Sequence, residues 1–149
     1  MRKLTKRHLI LIIYYRLDMR VSWKYLNENI INGQLNPLCK MSRSRVNEER
    51  YMKFKNQRVL SLHIKEKYLK NRKFIIKPNA FPYEVRKGII HYVMFSVEPL
   101  DSAFIDTILS VYFQIPKERM LWYINAPHLR SIPDLWHCQI FIKLESQIK

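Results

Sequence analysis

The sequence predicts an α+β fold in which a basic helical N-terminal half packs on a small C-terminal sheet of strand–helix–strand–strand order. Three observations predict it. At 149 residues and 48% hydrophobic, the chain has the length of one domain and enough apolar surface for its own core. Helix-like apolar spacing dominates up to about residue 75, and short β-branched and aromatic runs follow it. The charge divides at the same place: residues 1–75 hold 19 Lys/Arg and 5 Asp/Glu, whereas residues 76–149 hold 8 and 7.

Residues 1–7 are basic and residues 9–15 apolar. That apolar run is too short to span a bilayer, and Arg16, Asp18 and Arg20 follow it with no small-residue cleavage site. Residues 1–21 are therefore expected to form a basic N-terminal extension, with Leu9, Ile12, Ile13 and Leu17 on one face, and residues 22–149 a single α+β domain. Ser22 suits an N-cap, and Trp23, Leu26, Ile30 and Ile31 recur at helical spacing up to Gly33, which is expected to stop the helix. After Asn36-Pro37 a charged helix is expected over residues 44–56, with Val46, Tyr51 and Phe54 as its core contacts, continuing or restarting through Leu60, Ile64 and Leu69.

Residues 78–83, with a proline at 78 and another at 82, read as a turn-rich joint. Residues 88–97 read as a buried strand. Asp101 or Ser102 then caps a helix with Phe104, Ile105, Ile108, Val111 and Tyr112 on one face, and Pro116 ends it. Two further strands are expected over residues 120–125 and 136–143, giving a small sheet with helices on one face. Between them lies a loop over residues 126–133, of the kind that often carries a site.

Composition also excludes several classes. Gly33 and Gly88 are the only glycines and are isolated, so neither a Walker A loop nor a Rossmann fingerprint is present, and no cofactor is expected. Cys39 and Cys138 lack CxxC spacing and read as reduced thiols of an intracellular, cytoplasmic protein, in a host cytoplasm or a virion. The formal net charge of +15, gathered in the first half, points to RNA or another polyanion as partner. Its bland counterpart is a solvated Lys-rich face, and Lys65, Lys67, Lys70, Arg72 and Lys73 also suit a helix C-terminus.

In the C-terminal half, Phe81-Pro82-Tyr83, Gly88-Ile89-Ile90-His91-Tyr92-Val93, Leu121-Trp122-Tyr123-Ile124-Asn125, Leu129-Arg130-Ser131-Ile132 and Trp136-His137 form an ordered series. The series resembles the domain of unknown function typified by the fungal N-acetylglucosamine-induced protein, which has relatives in large DNA viruses. The resemblance spans about residues 22–143 and implies a fold more than an activity. Two positions depart from it: the family's second closing histidine is Gln139 here, and its tryptophan after the strand asparagine is Ala126. A histidine pair within the closing strand therefore does not carry over.

Strand alternation puts His91 on one face of the first strand, and His137 and Gln139 together on one face of the last. If the strands are neighbours, these side chains converge, joined by His128, Arg130 and Ser131 from the loop and by Trp122 and Asn125 from the middle strand. Such a pocket suits a phosphate, or a histidine acting as general acid or base. No metal is expected, because only Asp134 accompanies the histidines and Cys138 points away from His137.

Three functional readings follow. The first is a module binding RNA or other nucleic acid through the N-terminal helical half, with Arg43, Arg45, Lys53, Lys55, Lys65 and Arg72 as contacts. The second is a small enzyme acting on a phosphorylated or sugar-like substrate through His91 and His137. The third is a structural or assembly component, such as a virion protein, that packs on a protein partner.

Overall fold

The computed structural model of the chain describes residues 20–55, 58–130, 132 and 134–145. Most of the expected N-terminal extension thus lies outside the described residues. Ser22 caps the first helix, α1 (Trp23–Asn29): its hydroxyl accepts the Tyr25 backbone N–H at 3.1 Å. The helix stops four residues before Gly33, earlier than its apolar spacing suggests. Ile30 and Ile31 instead form strand β1 (Ile30–Ile31), paired antiparallel with β2 (Gln34–Leu35). The turn between them is Asn32-Gly33, with φ of 51° and 73°. Two consecutive positive φ values define the tight turn whose twist matches a hairpin, and Asn-Gly is its strongest sequence signal.

Two helices follow, α2 (Arg45–Lys55) and α3 (Arg58–Tyr68), and then strand β3 (Phe74–Pro78), which stands where the sequence suggested the end of the helical half. Strand β4 (Ile89–Ser96), helix α4 (Ser102–Phe113), strand β5 (Met120–Tyr123) and strand β6 (Trp136–Lys143) agree with the expected strand–helix–strand–strand order. Asp101 caps α4 through the Phe104 N–H at 2.8 Å. The four long strands form one antiparallel sheet in the order β3-β4-β6-β5.

Helices cover both faces of this sheet, not one. On one face, Ile105 and Leu109 of α4 pack on Ile76, Met94, Trp122, Cys138, Ile140 and Ile142. The buried stripe of α4 is therefore centred on Ile105 and Leu109, while Phe104, Val111 and Tyr112 face outward. On the other face the N-terminal half covers two patches. Leu26 and Ile30 sit on Tyr123 and Phe141, and Ile64 and Leu69 sit on Val93, Phe95 and Leu135. Apolar area removed from water on both sides of one sheet is the main stabilising term of such a fold.

The ten-residue connection from β3 to β4 is stitched down by backbone bonds. Val21 N–H donates to Glu84 O and Arg86 N–H to Val21 O, each at 2.9 Å, and Glu84 N–H donates to Ser42 O at 2.8 Å. These bonds fix the position of Tyr83 and bring Arg43 beside it. Among the described residues, no helix is long and apolar enough to cross a membrane.

Candidate functional site

Strands β4 and β6 are direct neighbours, with His91 opposite Phe141, Val93 opposite Gln139 and Phe95 opposite His137. All six side chains therefore project from the same face, the one covered by the N-terminal half. The two histidines share that face but do not meet. Four ladder positions separate them, which is roughly 13 Å along the strands.

His91 is committed to the fold. Its ring is stacked between Tyr83 (5.1 Å between centroids) and Phe141 (4.5 Å). The backbone N–H of Tyr83 donates to its Nδ1 at 3.1 Å, so the ring proton must sit on Nε2. Nε2–H then donates to Gln139 Oε1 at 2.6 Å. Burial holds the imidazole neutral, pushing its pKa down to about 4, with the Arg43 charge acting in the same direction against the Gln139 bond.

The same Gln139 oxygen accepts the Asn79 amide at 3.1 Å, and Asn79 Oδ1 in turn accepts the Phe81 N–H at 2.9 Å. Two backbone donors, those of Tyr83 and Phe81, thus independently dictate which way the Gln139 amide points. Its oxygen is held inward, and its NH2 group is left without a bonded acceptor among the described residues.

His137 has the complementary arrangement. Its Nδ1–H donates to Leu135 O at 2.9 Å, which leaves Nε2 an acceptor without a bonded donor among the described residues. Burial, opposed by that bond and assisted by Arg130, lowers its pKa as well. Both Gln139 and His137 line a cavity of about 230 Å³ between the sheet and helices α2 and α3.

The cavity walls are largely aromatic. Tyr51 and Phe54 come from α2, Tyr68 from α3, Phe81 from the β3–β4 connection and Phe95 from β4. Two cations complete it. The Arg43 guanidinium lies 3.9 Å from the Tyr51 centroid and 4.7 Å from that of Tyr83, its Nε–H bonded to Phe81 O at 2.9 Å. Lys77 Nζ sits 4.0 Å over the Tyr68 ring and draws the phenol pKa below its ordinary value. Among the described residues, no carboxylate lines the cavity.

The expected pocket is thereby redrawn. His137 and Gln139 line it, and His91 stands behind Gln139 as its anchor. Trp122 lies on the opposite face, packed on α4 with its indole N–H bonded to Asp106 Oδ1 at 2.8 Å, because β5 alternation pairs it with Ile140. Asn125 is outside the cavity; its backbone oxygen holds Arg130 Nε at 3.0 Å, and Arg130 reaches His137 only as a nearby charge. Ser131 and the His128 side chain lie outside the described residues.

Of the expected phosphate contacts, Arg43 is not a surface group. Its side chain is 14% exposed and it forms part of the cavity wall, with Glu48 at 3.5 Å. Arg45 is fully presented to solvent and pairs along the helix with Glu49 at 3.2 Å. Lys53, Lys65 and Arg72 are exposed; the Lys55 side chain lies outside the described residues.

Sequence reasoning missed Lys77 and Asn79, and it assigned Tyr51 and Phe54 to the core. The available signal was the strand character of Phe74-Ile75-Ile76. Its alternation puts Lys77 on the same face as Val93.

The family described as "Protein of unknown function (DUF3605)" matches residues 60–143, more than half of the chain. The chain belongs to this family. The matched DUF3605 span takes in most of α3, α4 and the whole four-stranded sheet, and so supplies the floor of the cavity; Arg43, Tyr51 and Phe54 precede it. A solved structure titled "Crystal Structure of HTC1" is similar in fold, with a TM-score of 0.61 at 18% identity over 86% of this chain and 88% of that one. No curated protein matches the chain.

Proposed function

We propose that the protein binds RNA, as single strands, through the solvent face of α2, α3 and the turn into β3. One observation carries this reading. Residues 40–77, the stretch that carries α2, α3 and most of β3, hold 13 Lys/Arg and 3 Glu, whereas the sheet half is nearly neutral. Cations concentrated on one side neutralise phosphates and release counterions, a sequence-independent source of affinity. An aromatic-lined cavity beneath the same cations adds what double-stranded nucleic acid does not use, namely surfaces on which unpaired bases stack.

The order of motifs also supports reading the matched family as the one typified by the fungal N-acetylglucosamine-induced protein, with viral relatives. An enzymatic reading through paired histidines finds less support. His91 has both ring nitrogens engaged, and no single substrate atom lies within reach of both imidazoles.

The test is fluorescence anisotropy of the full chain with a labelled single-stranded RNA across a salt series. Affinity is expected to fall steeply with salt. Combining Arg45→Glu, Lys53→Glu, Lys65→Glu and Arg72→Glu is expected to flatten the log–log slope by about 3, from ~0.7 per phosphate contact. Binding that ignores both salt and these four changes would remove the proposal.

A further inference from the structure

The cavity has a polarity that a general polyanion surface does not require. Gln139 presents an amide NH2 whose orientation is set from behind by His91 and Asn79. Two residues along the same face of β6, His137 presents Nε2 as an acceptor, its tautomer set by Leu135 O. A donor and an acceptor are therefore held side by side on a rigid strand, in an apolar and aromatic setting. Neither atom is sealed in: among the described residues the only buried side-chain polar atom without a partner is Ser61 Oγ.

A ligand matching this arrangement has a flat body for the rings and an edge carrying an acceptor next to a donor. It also has an anionic group for Lys77, with Arg43 adding to the positive field. The volume of about 230 Å³ lies below the ~300–1,000 Å³ of sites for drug-sized molecules, which suits one ring system and not several. Nucleobases present such acceptor–donor edges, and bases removed from a stack are read on them.

We propose that this cavity takes one unstacked nucleotide, with its base edge on Gln139 and His137 and its phosphate beside Lys77. The inference deepens the strand-binding reading and rests on it: the basic face holds the strand, and the cavity takes one base from it. A free nucleotide carries the same chemistry, and the experiment separates the two sources.

Calorimetry on the full chain at about 0.5 M salt, where phosphate contacts are largely screened, measures binding of adenosine and uridine 5′-monophosphates and of short oligo(A) and oligo(U). Two variants probe the cavity without touching its hydrogen-bond network. Ala80→Trp fills the mouth from an exposed position, and Phe54→Ala removes a half-exposed wall ring. Each is expected to weaken binding roughly tenfold or more, the scale of one base–aromatic stack. Variants that fold and bind every probe as the wild type does would overturn the inference while leaving salt-dependent strand binding intact, and a wild type that binds no probe would overturn it too. Oligonucleotides bound and monophosphates refused would support it with the strand as source. Monophosphates bound and oligonucleotides refused would support it with the free nucleotide as source, and would show that the cavity does not draw its base from the strand; the strand reading itself is decided by the salt series.

Discussion

At the scale of single residues, the chain of consequences runs from one backbone N–H to the cavity. Tyr83 N–H sets the His91 tautomer, His91 sets the Gln139 amide, and Gln139 presents its NH2 group to the ligand space. The arrangement requires a neutral His91, and this has a pH signature. The groups facing the ring are Gln139, Asn79, Tyr83 and Phe141, with the Arg43 charge nearby; none is a carboxylate that would stabilise an imidazolium. In the unfolded chain the histidine titrates near 6.5, and in the fold near 4. Between those values the unfolded state holds the extra proton, so stability rises with pH there. The contribution is fully present above about pH 6.5 and is lost as the pH falls toward 4, by about 3 kcal/mol for His91. His137, shifted in the same direction, adds to the loss. Urea denaturation at several pH values checks this, together with the His91 ring resonances, which are expected not to titrate above pH 5. A ring that titrates near 6.5 would contradict the network.

At the scale of elements, the Asn32-Gly33 hairpin is the most exacting piece. Gly33 combines a positive φ with close approach to Trp122, whose ring a Cβ there would overlap, and its carbonyl accepts the Ile124 N–H at 3.1 Å. Gly33→Ala is expected to cost at least about 2 kcal/mol in urea denaturation, from backbone strain plus displacement of the indole. A loss under about 0.5 kcal/mol would show that the hairpin does not dock on β5 in this way.

The same hairpin shows how far the elements were legible. Strand β6 was readable to the residue because aromatic, apolar and β-branched residues recur from Trp136 to Ile142, with His137 and Gln139 alternating on one face. The helix ends at Ser22 and Asp101 were readable because a cap is a local property. The Ile30-Ile31 pair misled because two isoleucines continue the helical spacing of Trp23 and Leu26, and tertiary pairing then overrides local periodicity. Strand β3 was obscured because it is short, follows a run of cations and ends in a proline, which suits an edge strand. The cavity itself was half legible. Alternation put His91, His137 and Gln139 on one face, but Lys77, Asn79, Tyr51 and Phe54 reach it only through contacts distant in sequence.

At the scale of the whole molecule, the charge boundary near residue 75 coincides with a structural boundary. The basic half is the roof, the neutral sheet is the floor, and the cavity lies between them. The basic half contributes cations and the Tyr51, Phe54 and Tyr68 rings, whereas the sheet contributes Lys77 and the fixed groups of Gln139 and His137, so the proposal predicts that affinity and base preference can be lost separately by mutation. The most direct measurement is chemical-shift mapping of the full chain on titration with short oligouridine, followed through the backbone amides and the side-chain amide of Gln139. The account predicts that changes concentrate in α2, α3 and β6, with the Gln139 NH2 among the largest. Changes confined to the outer face of α4, or none at all, would contradict it.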